Sequence, residues 1–278
     1  MKIRTAILLM GLFVSFIQSA QGASYEDAPN LEPFALTQDV IDELTQIDTK
    51  ATKDTAFCLK GITISASKPA GGHMTFTVEA DPRLNLWRGR PNDIVSSHLG
   101  DMKLILTAIT DETGQNVYDA SQDKPWSNRV TIYHRGNGVF NGVRSAFFKK
   151  ASKNATIKQV TGKIQLSLPV NLKRYEVRAD DPESIKPLLE QDDISEIELD
   201  NGLSIKHPVS TPDFKITIMG FDKEGERISI VSAGTAGKSY DNHWYYFSTK
   251  THFDKMIVFI PEKFIVREIP FTIDMRTE

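Results

Sequence analysis

A single cysteine, Cys58, in 278 residues excludes an intramolecular disulfide and every multi-cysteine metal or redox motif. The six histidines form neither His-x-His nor His-Glu-x-x-His, so no zinc motif is legible and no metal is expected. The nucleophile elbow Gly-x-Ser-x-Gly is missing. The glycine-rich "RGNGVFNG" (135–142) lacks the Lys-Ser/Thr ending of a phosphate loop. No cofactor and no catalytic residue is assigned. A basic excess is also missing, since the formal charge is −3, and nucleic acid is not an expected partner. Beyond the N-terminus no apolar run approaches the roughly 20 residues a membrane helix needs, so no membrane span is expected in the mature chain.

The N-terminus is where an apolar run does occur. Lys2 and Arg4 precede an apolar stretch from Ala6 to Ile17, and Ala20-Gln21-Gly22 offers small residues at the positions signal peptidase reads. That order predicts a signal peptide over 1–22, cleaved after Gly22. Its loss takes the formal charge from −3 to −5. The expected location is periplasmic, with extracellular as the alternative. A mature chain of this size is large enough to build its core without disulfides.

After residue 55, alternation dominates. Met74, Phe76 and Val78 alternate with polar neighbours, as do Ile164, Leu166, Leu168 and Val170, and then Phe214, Ile216 and Ile218. A period of two marks strands with one buried face. One helix, 38–48, is predicted, with Thr37 as its cap, Asp39 in its first turn, and Val40, Ile41, Leu44 and Ile47 on one stripe.

Two blocks echo in the same order. "MKLILTAITDETGQNVYDAS" (102–121) resembles "FKITIMGFDKEGERISIVSA" (214–233), each an apolar strand, Asp-x-x-Gly and a second strand. "AFFKKASKNATIKQVTGKIQLSLP" (146–169) parallels "YYFSTKTHFDKMIVFIPEKFIVREIP" (245–270). The expected fold is therefore mainly β: two tandem immunoglobulin-like β-sandwich domains preceded by a short N-terminal helix. The expected boundaries are 23–54 for the N-terminal segment, 55–178 for the first sandwich, 179–195 for an acidic connector, and 196–278 for the second sandwich.

The candidate surface lies in the first repeat. "DPRLNLWRGRPND" sets Trp87 among Arg83, Arg88 and Arg90, and Arg135 and Arg144 follow further on. Arginine beside an aromatic suits carboxylate or sulfate groups together with a sugar or side-chain face. The competing internal reading pairs these arginines with the acidic connector. In "SYDNHWYYFSTKTH" (239–252) the alternation reads as a sandwich strand, leaving only His243 and Trp244 as candidate binding residues. At Cys58, Phe57 and Leu59 share one phase while Ile62 and Ile64 share the other. A β-bulge at Gly61 would turn Cys58 outward and allow a dimer through it.

The expected function is an exported, non-enzymatic binding, scaffold or assembly protein whose partner is a protein or an anionic envelope glycan. A hydrolase or lyase acting on a cell-envelope polymer, and an adhesin-like structural module, are the alternatives.

Overall fold

A computed structural model describes residues 32–88, 99–124, 126–134, 138–199, 202–208, 215–228, 230–239, 242–249 and 251–275. Residue 88, residue 208 and the stretches 231–239 and 242–245 are described as backbone only. The signal sequence expected at 1–22 falls outside these residues. No helix among the described residues is long and apolar enough to cross a membrane.

The elements in chain order are α1 (Gln38–Leu44), β1 (Ala56–Leu59), β2 (Ile62–Ala66), β3 (His73–Ala80), β4 (Trp87–Arg88), β5 (Asp101–Asp111), β6 (Ile132–His134), β7 (Phe140–Phe147), β8 (Ile157–Arg178), α2 (Lys186–Leu189), β9 (Glu196–Leu199), β10 (Gly202–Pro208), β11 (Thr217–Phe221), β12 (Arg227–Ile228), β13 (Ile230–Ser239), β14 (Asn242–Thr249) and β15 (Lys255–Asp274). They form three sheets. One has six strands in the order β1-β2-β3-β7-β6-β4, one has four (β13-β14-β10-β9), and one has five (β12-β11-β15-β8-β5). Pairing is antiparallel apart from the short β4–β6 ladder.

The five-stranded sheet carries the architecture. β8 and β15 pair antiparallel from Lys255↔Arg178 to Asp274↔Gln159 with no register shift. Side chains on a strand alternate faces, so phase shows what lies against each end of this sheet. At one end Ile164, Leu166 and Leu168 of β8 and Phe271 and Ile273 of β15 join a core with Ile64, Phe76 and Ile132 of the six-stranded sheet. At the other end Val177 of β8 and Met256, Val258 and Ile260 of β15 join a second core with Leu203, Ile205 and Phe247 of the four-stranded sheet. The first set is even on β8 and odd on β15, and the second is the reverse. The six- and four-stranded sheets therefore cover opposite faces of the long sheet at its opposite ends. Where β8 leaves the first core, Asn171 takes a left-handed conformation (φ 53°) and its N–H donates to the Leu36 carbonyl at 3.1 Å. Asn is among the few residues that adopt this conformation readily.

Thr37 caps α1 as expected, its side chain accepting from the Val40 N–H, and Ile41 and Leu44 are buried. The helix is shorter than predicted. It ends at Leu44, and Ile47 leaves the stripe, half exposed at 51%, to bridge Leu59. Arg267 of β15 ties α1 to the long sheet through Asp42 at 2.7 Å. The guanidinium and the Gln38 amide hold the Asp42 carboxyl below its ordinary range.

The phase switch at Cys58 has a different cause from the bulge predicted. β1 and β2 form a hairpin with Lys60-Gly61 as its two-residue loop, and Leu59↔Ile62 and Phe57↔Ile64 stand directly opposite, on one face. The sequence changes phase because the chain reverses. Gly61 is required there because α1 lies on it: a Cβ would come within 2.9 Å of the Leu44 Cβ. Cys58 does point away from the Phe57 face, but the 48–55 segment covers it. Its thiol donates to the Ala51 carbonyl at 3.4 Å and the residue is buried. The buried thiol gives no support to the disulfide dimer expected through Cys58.

The two Asp-x-x-Gly turns fold alike. Asp111 N–H donates to the Gln115 carbonyl and Gly114 N–H to the Asp111 carbonyl, at 3.0 and 3.1 Å. The Asp222/Glu226 and Gly225/Asp222 bonds repeat those distances. Gly114 and Gly225 have φ of 85° and 81°, which glycine adopts without strain. The acidic stretch after β8 keeps its carboxylates in solvent but anchors in the second core through Leu188 and Ile194.

Candidate binding surfaces

Of the residues singled out in the first repeat, the described side chains of Trp87 and Arg144 are buried and that of Arg83 is exposed. Trp87 is buried at 8% exposure, against Phe140 at 6.0 Å between ring centroids. Arg144, 3% exposed, sits on the inward phase of β7. Its Nη2 donates to Asp123 Oδ2 at 2.6 Å and to Tyr118 Oη at 3.0 Å, while Nη1 donates to the Leu104 carbonyl. Tyr118 in turn donates its hydroxyl to Asp123.

Arg83 is exposed and forks onto Asp81, with Nε–Oδ1 at 3.0 Å and Nη2–Oδ2 at 2.7 Å. Burial pushes the Asp81 carboxyl up, but the Arg83 side chain and N–H outweigh it and hold the group below its usual range. The two described arginines thus pair with Asp81 and Asp123, not with the acidic connector. Arg90 and Arg135 lie outside the described residues, and of Arg88 only the backbone is described. His243 and Trp244 lie in β14, opposite His207 and Lys206 in register, again as backbone only.

A surface the sequence reading missed occupies the half of the long sheet that the described residues leave bare. The four-stranded sheet covers its face only at the second-core end, and past that end the same face opens as a cleft of ≈ 240 Å³. Phe264 and Val266 of β15, Gln165 and Ser167 of β8, Lys103 of β5 and Lys215 before β11 line it. Register sets Lys103 opposite Gln165, and Ser167 opposite Val266. Val266 is 58% exposed in mid-strand, and the Lys215 ammonium stands 5.4 Å over the Phe264 ring.

At the end of the cleft the Asp101 carboxylate takes both Lys215 and Arg129. The turn that presents Arg129 also holds Trp126, 68% exposed, with Lys124 over its ring at 5.4 Å. Next to the cleft, Glu268 accepts from Lys163 at 2.9 Å and from Gln165 at 2.8 Å. The Lys163 hydrogen bond is the main reason the Glu268 carboxyl is held low.

A signal for this surface exists in "KFIVREIPFTI" (263–273). Ile265, Ile269, Phe271 and Ile273 form the core phase, which leaves Phe264 and Val266 apolar on the opposite one. The cleft is smaller than the roughly 300–1,000 Å³ typical of drug-sized ligand sites, so it matches one sugar ring or one side chain. Cations outnumber carboxylates along it, and apolar surface lies between them. Among the described residues no group of three or more His, Cys, Asp or Glu converges as metal ligands.

No family model matches the chain, and no curated protein matches its sequence.

Proposed function

We propose that this is an exported, non-enzymatic binding or scaffold protein of the bacterial envelope, located in the periplasm, whose partner is an anionic glycan. The proposal takes the fold as two immunoglobulin-like β-sandwich units, and the opposite burial phases at the two ends of β8 and β15 support that division. The carrying observation is the cleft on the bare half of the shared sheet. It presents apolar floor (Phe264, Val266), hydrogen-bonding groups (Gln165, Ser167) and unequal charge (Lys103, Lys215 and Arg129 against Asp101) on a rigid support. A sugar ring has an apolar face and polar edges, and an acidic sugar adds the carboxylate that lysine attracts. Exposed Trp126 supplies a second flat apolar surface beside it.

Titration of the full-length protein with a polyuronate oligosaccharide is expected to change tryptophan emission, because Trp126 stands exposed beside the cleft. Lys103→Glu is expected to weaken binding about tenfold or more, and added salt to weaken the wild type, since an exposed charge contact is screened. Unchanged affinity in Lys103→Glu would remove the cleft from the interaction. An envelope protein crosslinked from a photoreactive residue at position 266, with no polyuronate binding, would replace the glycan by a protein partner.

A further inference from the structure

A second, independent site is built around Arg227, at the far end of the long sheet. Register places Arg227 of β12, Phe221 of β11 and Lys255 of β15 in one cross-strand row. Opposite residues in a row share a face, and both cations stand against the aromatic ring: the Arg227 guanidinium carbon at 5.8 Å and the Lys255 ammonium at 5.2 Å from its centroid. The next cation in the row, Arg178, is satisfied by Asp180, Glu176 and Asp254 at 3.4, 3.6 and 3.8 Å.

Arg227 is not satisfied in that way. Among the described residues its Nε and Nη1, shut off from solvent, have no acceptor, and its Nη2 reaches the Met219 thioether at 3.5 Å. Burial pushes its pKa below the ordinary arginine range, and the charge of Glu32 opposes that without a hydrogen bond between them. Buried donors are almost always paired, and a cation that loses water without gaining an acceptor is strongly disfavoured. An arginine held by packing alone would be replaceable by methionine at a gain, since Phe221 and Met219 already offer it an apolar bed.

We infer that Arg227, with Lys255 across the Phe221 ring, is the receptor for an oxyanion group, a carboxylate or a phosphate, of a small ligand. Arg227 and Lys255 are both partly exposed; the anion approaches from that open side, where the guanidinium supplies direction and Lys255 a second positive charge. Phe221 keeps the two cations apart and limits their repulsion while the site is empty. The site lies on the row that ends the long sheet, away from the cleft at Val266, and does not depend on the glycan reading.

The test is thermal unfolding of the full-length protein in chloride buffer, and then with inorganic phosphate or sodium acetate added at matched ionic strength. At about ten times the dissociation constant, the matching oxyanion is expected to raise Tm by about 3 °C. A rise with phosphate alone assigns a phosphate group, and a rise with acetate alone assigns a carboxylate. Arg227→Met is expected to abolish the rise while keeping or raising Tm in chloride. Lys255→Gln, at a partly exposed position, is expected to reduce the rise and serves if Arg227→Met does not fold. No rise with either anion, or an equal rise in Arg227→Met, would overturn the site. If Glu32→Gln lowered Tm in chloride and neither anion had any effect, Arg227 would be a partner of Glu32 and the site would not exist.

Discussion

Arg144→Met is expected to lower the free energy of unfolding by about 3–5 kcal/mol, the range for removing one member of a buried ion pair. Urea denaturation at neutral pH measures it. Arg144, with 1% of its side chain exposed, holds the Asp123 carboxylate, the Tyr118 hydroxyl and the Leu104 carbonyl together. It thereby fastens the 118–123 segment and the β5 edge to β7. Without it Asp123 remains, mostly buried, with no cation. The double variant Arg144→Met with Asp123→Leu is expected to recover much of the loss, because replacing a whole buried pair by apolar groups is often near neutral.

The same cluster sets an alkaline limit. Burial first, and then the hydrogen bond to Asp123, raise the Tyr118 pKa from 10.0 to about 12. The fold keeps the neutral phenol, whereas the unfolded chain releases that proton near 10. The contribution is therefore complete below pH 10 and is lost between pH 10 and 12, worth roughly 2–3 kcal/mol. In Arg144→Met the decline extends to higher pH, because the positive charge that favours the phenolate is gone.

Local periodicity made individual elements legible. The alternation of Met74, Phe76 and Val78 is β3, and all three are buried. The Thr37 cap and the paired Asp-x-x-Gly turns sit where the sequence put them, because capping and turn geometry depend on residues a few positions apart. What stayed hidden was non-local. Nothing within β8 or β15 states that each is the other's partner along its whole length, and that pairing decides which face is bare. Arg144 was open to reading, since it shares the phase of Phe140 and Ala146. The opposite phase holds Val143 and Phe147, 52% and 48% exposed, so "FNGVRSAF" offers two equally apolar faces and hydrophobicity alone does not choose. The surface reading of Trp87 failed for a related reason: a tryptophan between prolines and arginines looks like a loop residue until Phe140 from another strand packs on it.

The continuous apolar run Met256–Ile260 is where the two cores meet, and it carries the second large effect. Ile257 and Phe259 belong to the first core, while Met256, Val258 and Ile260 belong to the second. Ile257→Ala and Val258→Ala, on opposite faces, are each expected to cost about 2–4 kcal/mol, the range for emptying a packed site. Val266→Ala, ten residues or fewer away on the bare face, is expected to stay within about 0.5 kcal/mol. Independent sandwiches would be affected one at a time by such changes. A sheet shared by both cores is not: β8 and β15 cannot lose register in one without loosening the other.

Hydrogen exchange in β3 and β10, followed through urea titration of Val258→Ala, tests that sharing most directly. The account predicts that a cavity in the second core lowers protection in β3 and β10 together, with coincident midpoints. Loss of protection in β10 at a lower midpoint, with β3 unchanged from the wild type, would contradict it.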